Sequence, residues 1–488
     1  MTVPRPTRAL FAAALILLAA SGCERSETGA VTVTVIGTAP KLVDPSSGTL
    51  DPPEAVLLEN AAQGLVRFDR QGNIEAGLAE RWNVSNDGLS YIFRLRSGEW
   101  PSGRKISAFD VARILRRQLA DRSRNSLKDT FGAVAQVVGM TDRVLAIELR
   151  APRPHLLQLL AQPEFALVRE GQGSGPFAVG DPLEGGSLLL TRELAGTDAQ
   201  AEAARERVHL QAATAEAAVR AFKQGTTDLV LGGDFANLSL AIGGNTLRGT
   251  LRFDPVAGLF GLVPARRTGL AGDPEIRSLL DRSIDRLALV AALGVPDLEA
   301  RATILQPGLD GGVTPAAPPW TAIPLPDRRP TLLAEARRLF ATKEGETAPT
   351  IRIALPDGPG AAIMLARLRS DWTPLRLTVE LAGKGRPADF RLIDAVAPSV
   401  SPAWFLRAFR CGEAPVCSKE IDELLDAARV VPVAAQRSAL LAEAERRMRE
   451  EVLFIPIAAP VRWSLVARGI PGFVENRFGR HPLSDLRN

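Results

Sequence analysis

Three histidines, three cysteines and one glycine-flanked serine are the residues from which this chain would have to build reactive chemistry. His155, His209 and His481 are scattered, and none has a partner at metal-ligand or triad spacing. A hydrolase needs a nucleophile beside a base that activates it. Gly173-Ser174-Gly175 reads as a turn and lacks the G-x-S-x-G spacing of a nucleophile elbow. The expectation is a protein without a catalytic centre, a metal site or a cofactor. The cysteines do other work. Cys23 closes an N-terminal leader in which Arg5 and Arg8 precede the apolar run Ala9 to Ala20. That run is too short to span a membrane and reads as a targeting segment. Cys411 and Cys417 remain, separated by Gly412-Glu413-Ala414-Pro415-Val416. In an exported chain such a pair reads as a disulfide. A metal site is the rival reading, with no His or further Cys nearby.

The elements that must position the rest are most legible between Leu57 and Leu119. Leu57, Leu58, Ala61, Ala62 and Leu65 fall at helical spacing, with Gly64 near the end. Val66 and Phe68 alternate with Arg67 and Asp69, as a half-buried strand does, and Gln71-Gly72-Asn73 is turn chemistry. Trp82 to Ser85 and Tyr91 to Arg96 form a hairpin about Asn86-Asp87-Gly88, because Asp-Gly takes positive φ readily. Ser107 is a good N-cap, with Asp110 three residues on, and Val111, Ile114, Leu115 and Leu119 make one apolar face.

Composition is that of a globular protein: 488 residues, 46% hydrophobic and 23% charged, enough for two or three domains. The leader's two arginines account for two of the four net positive charges, leaving a near balance that argues against a nucleic-acid partner. No internal repeat points to a solenoid.

The same block carries motifs in order: Gln63-Gly64-Leu65, Leu78-Ala79-Glu80-Arg81-Trp82, Asp87-Gly88, Leu95-Arg96-Ser97-Gly98, Ser102-Gly103 and Ala108-Phe109-Asp110-Val111. In that order and spacing they resemble the opening of the family 5 solute-binding proteins, the extracytoplasmic receptors of peptide and nickel ABC importers. Weaker matches follow at Gly173 to Phe177, Gly225 to Leu229, Asp273 to Arg286, Ala334 to Leu339, Ile455-Pro456-Ile457 and Gly469 to Phe473. The Pro-rich stretch Thr314 to Pro330 reads as a surface excursion, Leu375 to Leu381 as a strand, and Ile421 to Val430 and Gln436 to Met448 as amphipathic helices. Ala20-Ser21-Gly22-Cys23 resembles a lipobox, with Ala20 in place of the commoner Leu; an ordinary secretory signal is the alternative. Lipidation at Cys23 would tie the chain to a membrane, since each buried acyl CH₂ contributes about 0.8 kcal/mol.

The resemblance implies an α/β, two-lobed periplasmic-binding-protein-like fold, class II of the dipeptide/oligopeptide type, with an extra subdomain inserted in lobe one. The expected division is a signal segment at 1–23, lobe one from 31–55, 172–248 and 464–488, the inserted subdomain at 56–171, and lobe two at 249–463. It also implies a periplasmic or cell-envelope protein that traps a small solute or peptide between its lobes and delivers it to ABC permease subunits. The rival is a lipoprotein of the same fold that has lost transport and acts as an interaction module. Permease and ATPase genes beside this one would favour the importer.

In peptide-binding members a segment near W-x-x-D-Y-x-D-P lines the pocket, and its first Asp holds the peptide's ammonium group, because a buried cation must be paired. Here the stretch runs from Ala395 to Pro402, and only Pro402 keeps the pattern. Ala395 stands for the Trp and Pro398 for the amine-binding Asp; a shift of a few residues would move Asp394 into that role. The resemblance thus points to Asp394, Ser399, Ser401 and Trp404 in the pocket loop. Arg407 and Arg410 beside it suit an acidic group, and Asp44-Pro45 matches a turn that approaches the pocket. The departure argues for a ligand other than an ordinary free peptide. Nickel, bound as a chelate, is a family alternative that nothing in this chain favours.

Overall fold

A computed structural model describes residues 29–194, 205–243, 249–312, 315–341, 347–383, 385–484 and 486; the leader and Cys23 lie outside them. Its first strand, Ala30–Ile36, buries Val31, Val33 and Val35 and runs parallel to both Arg205–Ala213 and Leu229–Asp234. It lies at the middle of a seven-stranded sheet, in the order Ala178–Val179, Leu188–Glu193, Arg205–Ala213, Ala30–Ile36, Leu229–Asp234, Arg462–Val466 and Leu251–Phe253. A second sheet has five strands: Thr378–Leu381, Thr350–Ala354, Phe390–Val396, Gly258–Pro264 and Ile455–Ala458. The chain passes between the two sheets twice, at 254–257 and at 459–461, and a single hydrophobic cluster runs through both. Helices pack on the sheets, so the architecture is the mixed α/β, two-lobed one.

Residues from Val66 onward build a separate four-stranded antiparallel sheet, Ala79–Val84, Ser90–Leu95, Val144–Leu149 and Val134–Thr141, covered by the helix Ala108–Leu119. The hairpin at Asn86-Asp87-Gly88 forms as its turn chemistry predicts, with Gly88 at φ 69°. Ser107 caps its helix by accepting from the Asp110 N–H at 3.1 Å. Gly173 and Gly175 serve packing: a Cβ on Gly173 would stand 2.2 Å from the Ala61 carbonyl oxygen, against the end of the helix Pro52–Ala61.

Two expectations need correction. The Pro-rich excursion ends early, because the helix Leu325–Leu339 already contains Pro326 and Pro330. Pro326 sits in the first turn, where the missing N–H leaves no bond unmade. Pro330 is carried by the apolar anchors Leu332 and Ala336 and by Arg328, which donates to the Trp320 carbonyl and stacks over its ring at 4.6 Å. The strand read from Leu375 begins only at Thr378, since Arg376 takes φ 66° after the short 3-10 turn Thr373–Leu375.

Candidate functional site

Between the four-stranded unit and the helices beyond the five-stranded sheet lies a cavity of about 880 Å³. Its first wall comes from the end of the helix Ala108–Leu119, the turn Lys128–Phe131, the strand Val134–Thr141 and the segment 150–155. The opposite wall is made by three helices: Pro402–Arg407, Lys419–Val430 and Ala434–Glu450.

Each wall is shaped by its local sequence. Pro402 opens its short helix at the first position, where proline's fixed φ suits helix entry. Pro152 and Pro154 bracket Arg153, and a residue before proline is held extended. The Arg153 carbonyl accepts from Tyr91 Oη at 2.9 Å, which pins this segment to the subdomain core. Ile421, Leu425 and Ala428 anchor one long helix and Leu441, Ala444 and Met448 the next, in a cluster that also takes in Phe405 and Leu406. Phe131, Leu159 and Trp404 give the cavity apolar surface.

The walls are joined directly. Arg407 reaches Asp129 at 3.6 Å, and His155 Nε2 meets Asp310 Oδ2 at 3.0 Å. The Val400 N–H donates to Gln158 Oε1 at 3.1 Å, and Gln162 Nε2 donates to the Pro398 carbonyl at 2.8 Å.

Ser399, Ser401, Trp404 and Arg407 all line this cavity, as does Arg410. Asp44 and Asp394 are not among its lining residues. Asp44 caps the turn Pro45–Ser47, accepting from the Ser46 N–H at 3.0 Å, and pairs with Arg117 at 2.8 Å. Asp394 lies at the crossing between the two sheets, where Arg462 Nη1 donates to its carboxylate at 2.8 Å and Nη2 to its carbonyl at 3.3 Å. Burial pushes the Asp394 carboxyl above its usual value, while Arg462 pulls it down. Cys411 and Cys417 are disulfide-bonded, with Cα atoms 5.1 Å apart, and Cys411 touches the cavity rim. The histidines stay apart: His209 bonds Ser187 Oγ at 3.1 Å and His481 pairs with Asp254 at 3.0 Å, far in sequence from the His155–Asp310 pair. Among the described residues no group of three or more His, Cys, Asp or Glu is arranged to hold a metal ion.

The cavity wall is rich in cations, most of which the sequence did not single out. Eight of its residues are Lys or Arg and four are Asp or Glu. Burial lowers the pKa of Arg153, and the neighbouring Arg429 and Arg437 lower it further. Arg407 is lowered by burial too, against the pull of Asp129 and Glu413. The one local signal that marks Arg153 is its place between two prolines just past a strand; nothing in the helix sequences distinguishes Arg429 or Arg437 from other helix arginines.

Comparison with known proteins places this architecture. The profile of bacterial extracellular solute-binding proteins, family 5 (middle region), matches residues 73–395. The fold superposes on the Haemophilus influenzae OppA complex with the peptide RPPGFSPFR at a TM-score of 0.80, covering 94% of this chain and 99% of that one at 16% identity. The chain is 23% identical to the probable di/tripeptide-binding protein 5 of Pseudomonas aeruginosa, over 86% of its own length and 88% of that protein's. It is 30% identical to the probable deoxycholate-binding periplasmic protein YgiS of Escherichia coli, over 24% of this chain. That stretch spans only about a quarter of YgiS (26%), and the match to the Bacillus subtilis dipeptide-binding protein DppE is as partial (24%). The two lobes and the cavity define a solute-binding protein of the two-lobed class. Within that class the chain belongs to the bacterial extracellular solute-binding proteins, family 5.

Proposed function

We propose that the protein captures a small solute or peptide-like ligand in the cavity between the 116–159 and 399–441 segments and hands it to the permease subunits of an ABC importer. The observation that carries this reading is the cavity itself: about 880 Å³, mixed in character, and walled by the four-stranded unit and the helices beyond the five-stranded sheet, which meet through Arg407–Asp129 and the Val400–Gln158 bond. Pockets of this size between structural units are where small ligands bind, and two crossings allow hinge opening and closure. The relatives named above are binding proteins, which supports a reading of capture and release. On this reading the seven-stranded sheet forms lobe one, the four-stranded unit its inserted subdomain, and the five-stranded sheet with its helices lobe two. Among the described residues no helix is long and apolar enough to cross a membrane; attachment would rest on a lipid at Cys23.

Ser399, Ser401, Trp404 and Arg407 are the proposed ligand contacts from the pocket loop. With Pro398 at the amine-binding position and Asp394 committed to Arg462, an ordinary free peptide lacks its ammonium partner in this loop. A thermal-shift screen of amino acids, di- and tripeptides, sugars and organic acids tests capture. A solute at a hundred times its Kd should stabilise the protein by about 2.7 kcal/mol. A flat response across the whole panel would contradict the proposal.

A further inference from the structure

The cation excess in the cavity identifies the chemistry of its ligand, provided the cavity is the capture site proposed above. Seven arginines line it, and five of them, Arg410, Arg407, Arg429, Arg153 and Arg437, lie close enough to repel one another. Carboxylates answer the first three. Arg410 pairs with Asp426 at 2.7 Å, Arg407 with Asp129 at 3.6 Å, and Arg429 with Asp426 at 3.5 Å. Among the described residues no carboxylate pairs with Arg153 or Arg437, whose guanidinium groups bond only to the backbone carbonyls of Pro152 and Val431. Both are half-buried, so neither is freely solvated.

This placement runs against ordinary stability. Arg437 sits in the first turn of the helix Ala434–Glu450, which has no acidic residue there, and a cation at that end opposes the helix dipole. Arg153 is held by its two prolines toward two other cations. Half-buried cations crowded without a counterion are destabilising unless an anion arrives.

We infer that the captured solute carries an oxyanion, a carboxylate or a phosphate, which Arg153, Arg429 and Arg437 hold from the two opposite walls, while Trp404, Phe131 and Leu159 cover an apolar body. Guanidinium forks suit either oxyanion, since both accept two parallel N–H bonds. Closure and charge pairing are then one event: Arg153 comes from the subdomain and the other two from the second lobe, so the anion bridges the walls.

Calorimetry with four probes tests this: acetyl-Leu-Glu, phenyl phosphate, the neutral acetyl-Leu-Gln amide and the cationic Leu-Lys amide. The expected result is binding of at least one of the two anions in preference to the neutral and cationic probes. Separate Arg153→Gln and Arg437→Gln variants should each weaken it by about tenfold or more, as loss of a charged hydrogen bond does, with the ligand-free melting temperature unchanged or raised by circular dichroism. Whichever anion binds names the source of the oxyanion. Equal or tighter binding of a neutral or cationic probe, or an anion affinity indifferent to both variants, overturns this inference and leaves solute capture standing. No binding by any probe, together with a flat thermal-shift screen, overturns both.

Discussion

Arg462 and Asp394 meet where the chain crosses between its two sheets, Arg462 from the first and Asp394 from the second. Both are largely buried, and removing one partner of such a pair leaves the other charge uncompensated. The variant Arg462→Met should lose about 2 kcal/mol or more of stability at pH 7 in denaturant titration. Its pH dependence has a definite sign. Burial already raises the folded-state Asp394 pKa above the ordinary carboxylate value, and loss of Arg462 raises it further. A raised carboxyl favours the folded state at low pH, and that advantage is lost as pH rises through the folded value. The variant's deficit should therefore shrink on acidification toward pH 4, and Asp394→Asn in the same background should restore part of the loss at pH 7. A deficit that is constant with pH would refute this. Of the residues the resemblance pointed to in this loop, Ser399, Ser401, Trp404 and Arg407 line the cavity and Asp394 does not. The sequence said nothing of Arg153, Arg429 and Arg437, because their nearness depends on how distant walls meet, and each alone looks like a surface arginine.

Elements were more legible than contacts wherever one signal dominated. Ser107 and the Asp87-Gly88 turn each act within a few residues, and the structure follows them. The helix Leu325–Leu339 was misjudged because two prolines outweigh apolar spacing in a local reading, whereas burial of Leu332 and Ala336 decides the fold. Gly173 shows the opposite limit. Its neighbourhood reads as a turn, yet the glycine is required because a backbone from elsewhere, at Ala61, comes too close for a Cβ. Gly173→Ala should destabilise by about 1–3 kcal/mol, the range for overpacking a filled site, measured by urea unfolding. The neighbouring Gly171→Ala does not isolate packing, since Gly171 takes φ 75°. The fairer control is Ser174→Ala, whose hydroxyl has no hydrogen-bond partner among the described residues and whose loss should change stability little. Equal stability of Gly173→Ala and the parent would show that the turn yields at little cost.

Across the whole molecule, capture depends on two units facing each other over one cavity, joined by Arg407–Asp129, His155–Asp310 and the Gln158 and Gln162 bonds. The two-lobed class was readable from ordered motifs because they mark scaffold turns that any member must keep. The ligand was not, because the pocket loop departs from the peptide-binding pattern and the cavity's cations come from six separate stretches of the chain. The central claim is that the solute sits in this cavity. Native mass spectrometry of the protein purified without denaturation tests it, comparing the parent with Ala403→Trp, which places an indole at an exposed position of the cavity wall beside Trp404. The account predicts a small-molecule adduct on the parent that is lost from the folded variant; an adduct carried equally by both would contradict it.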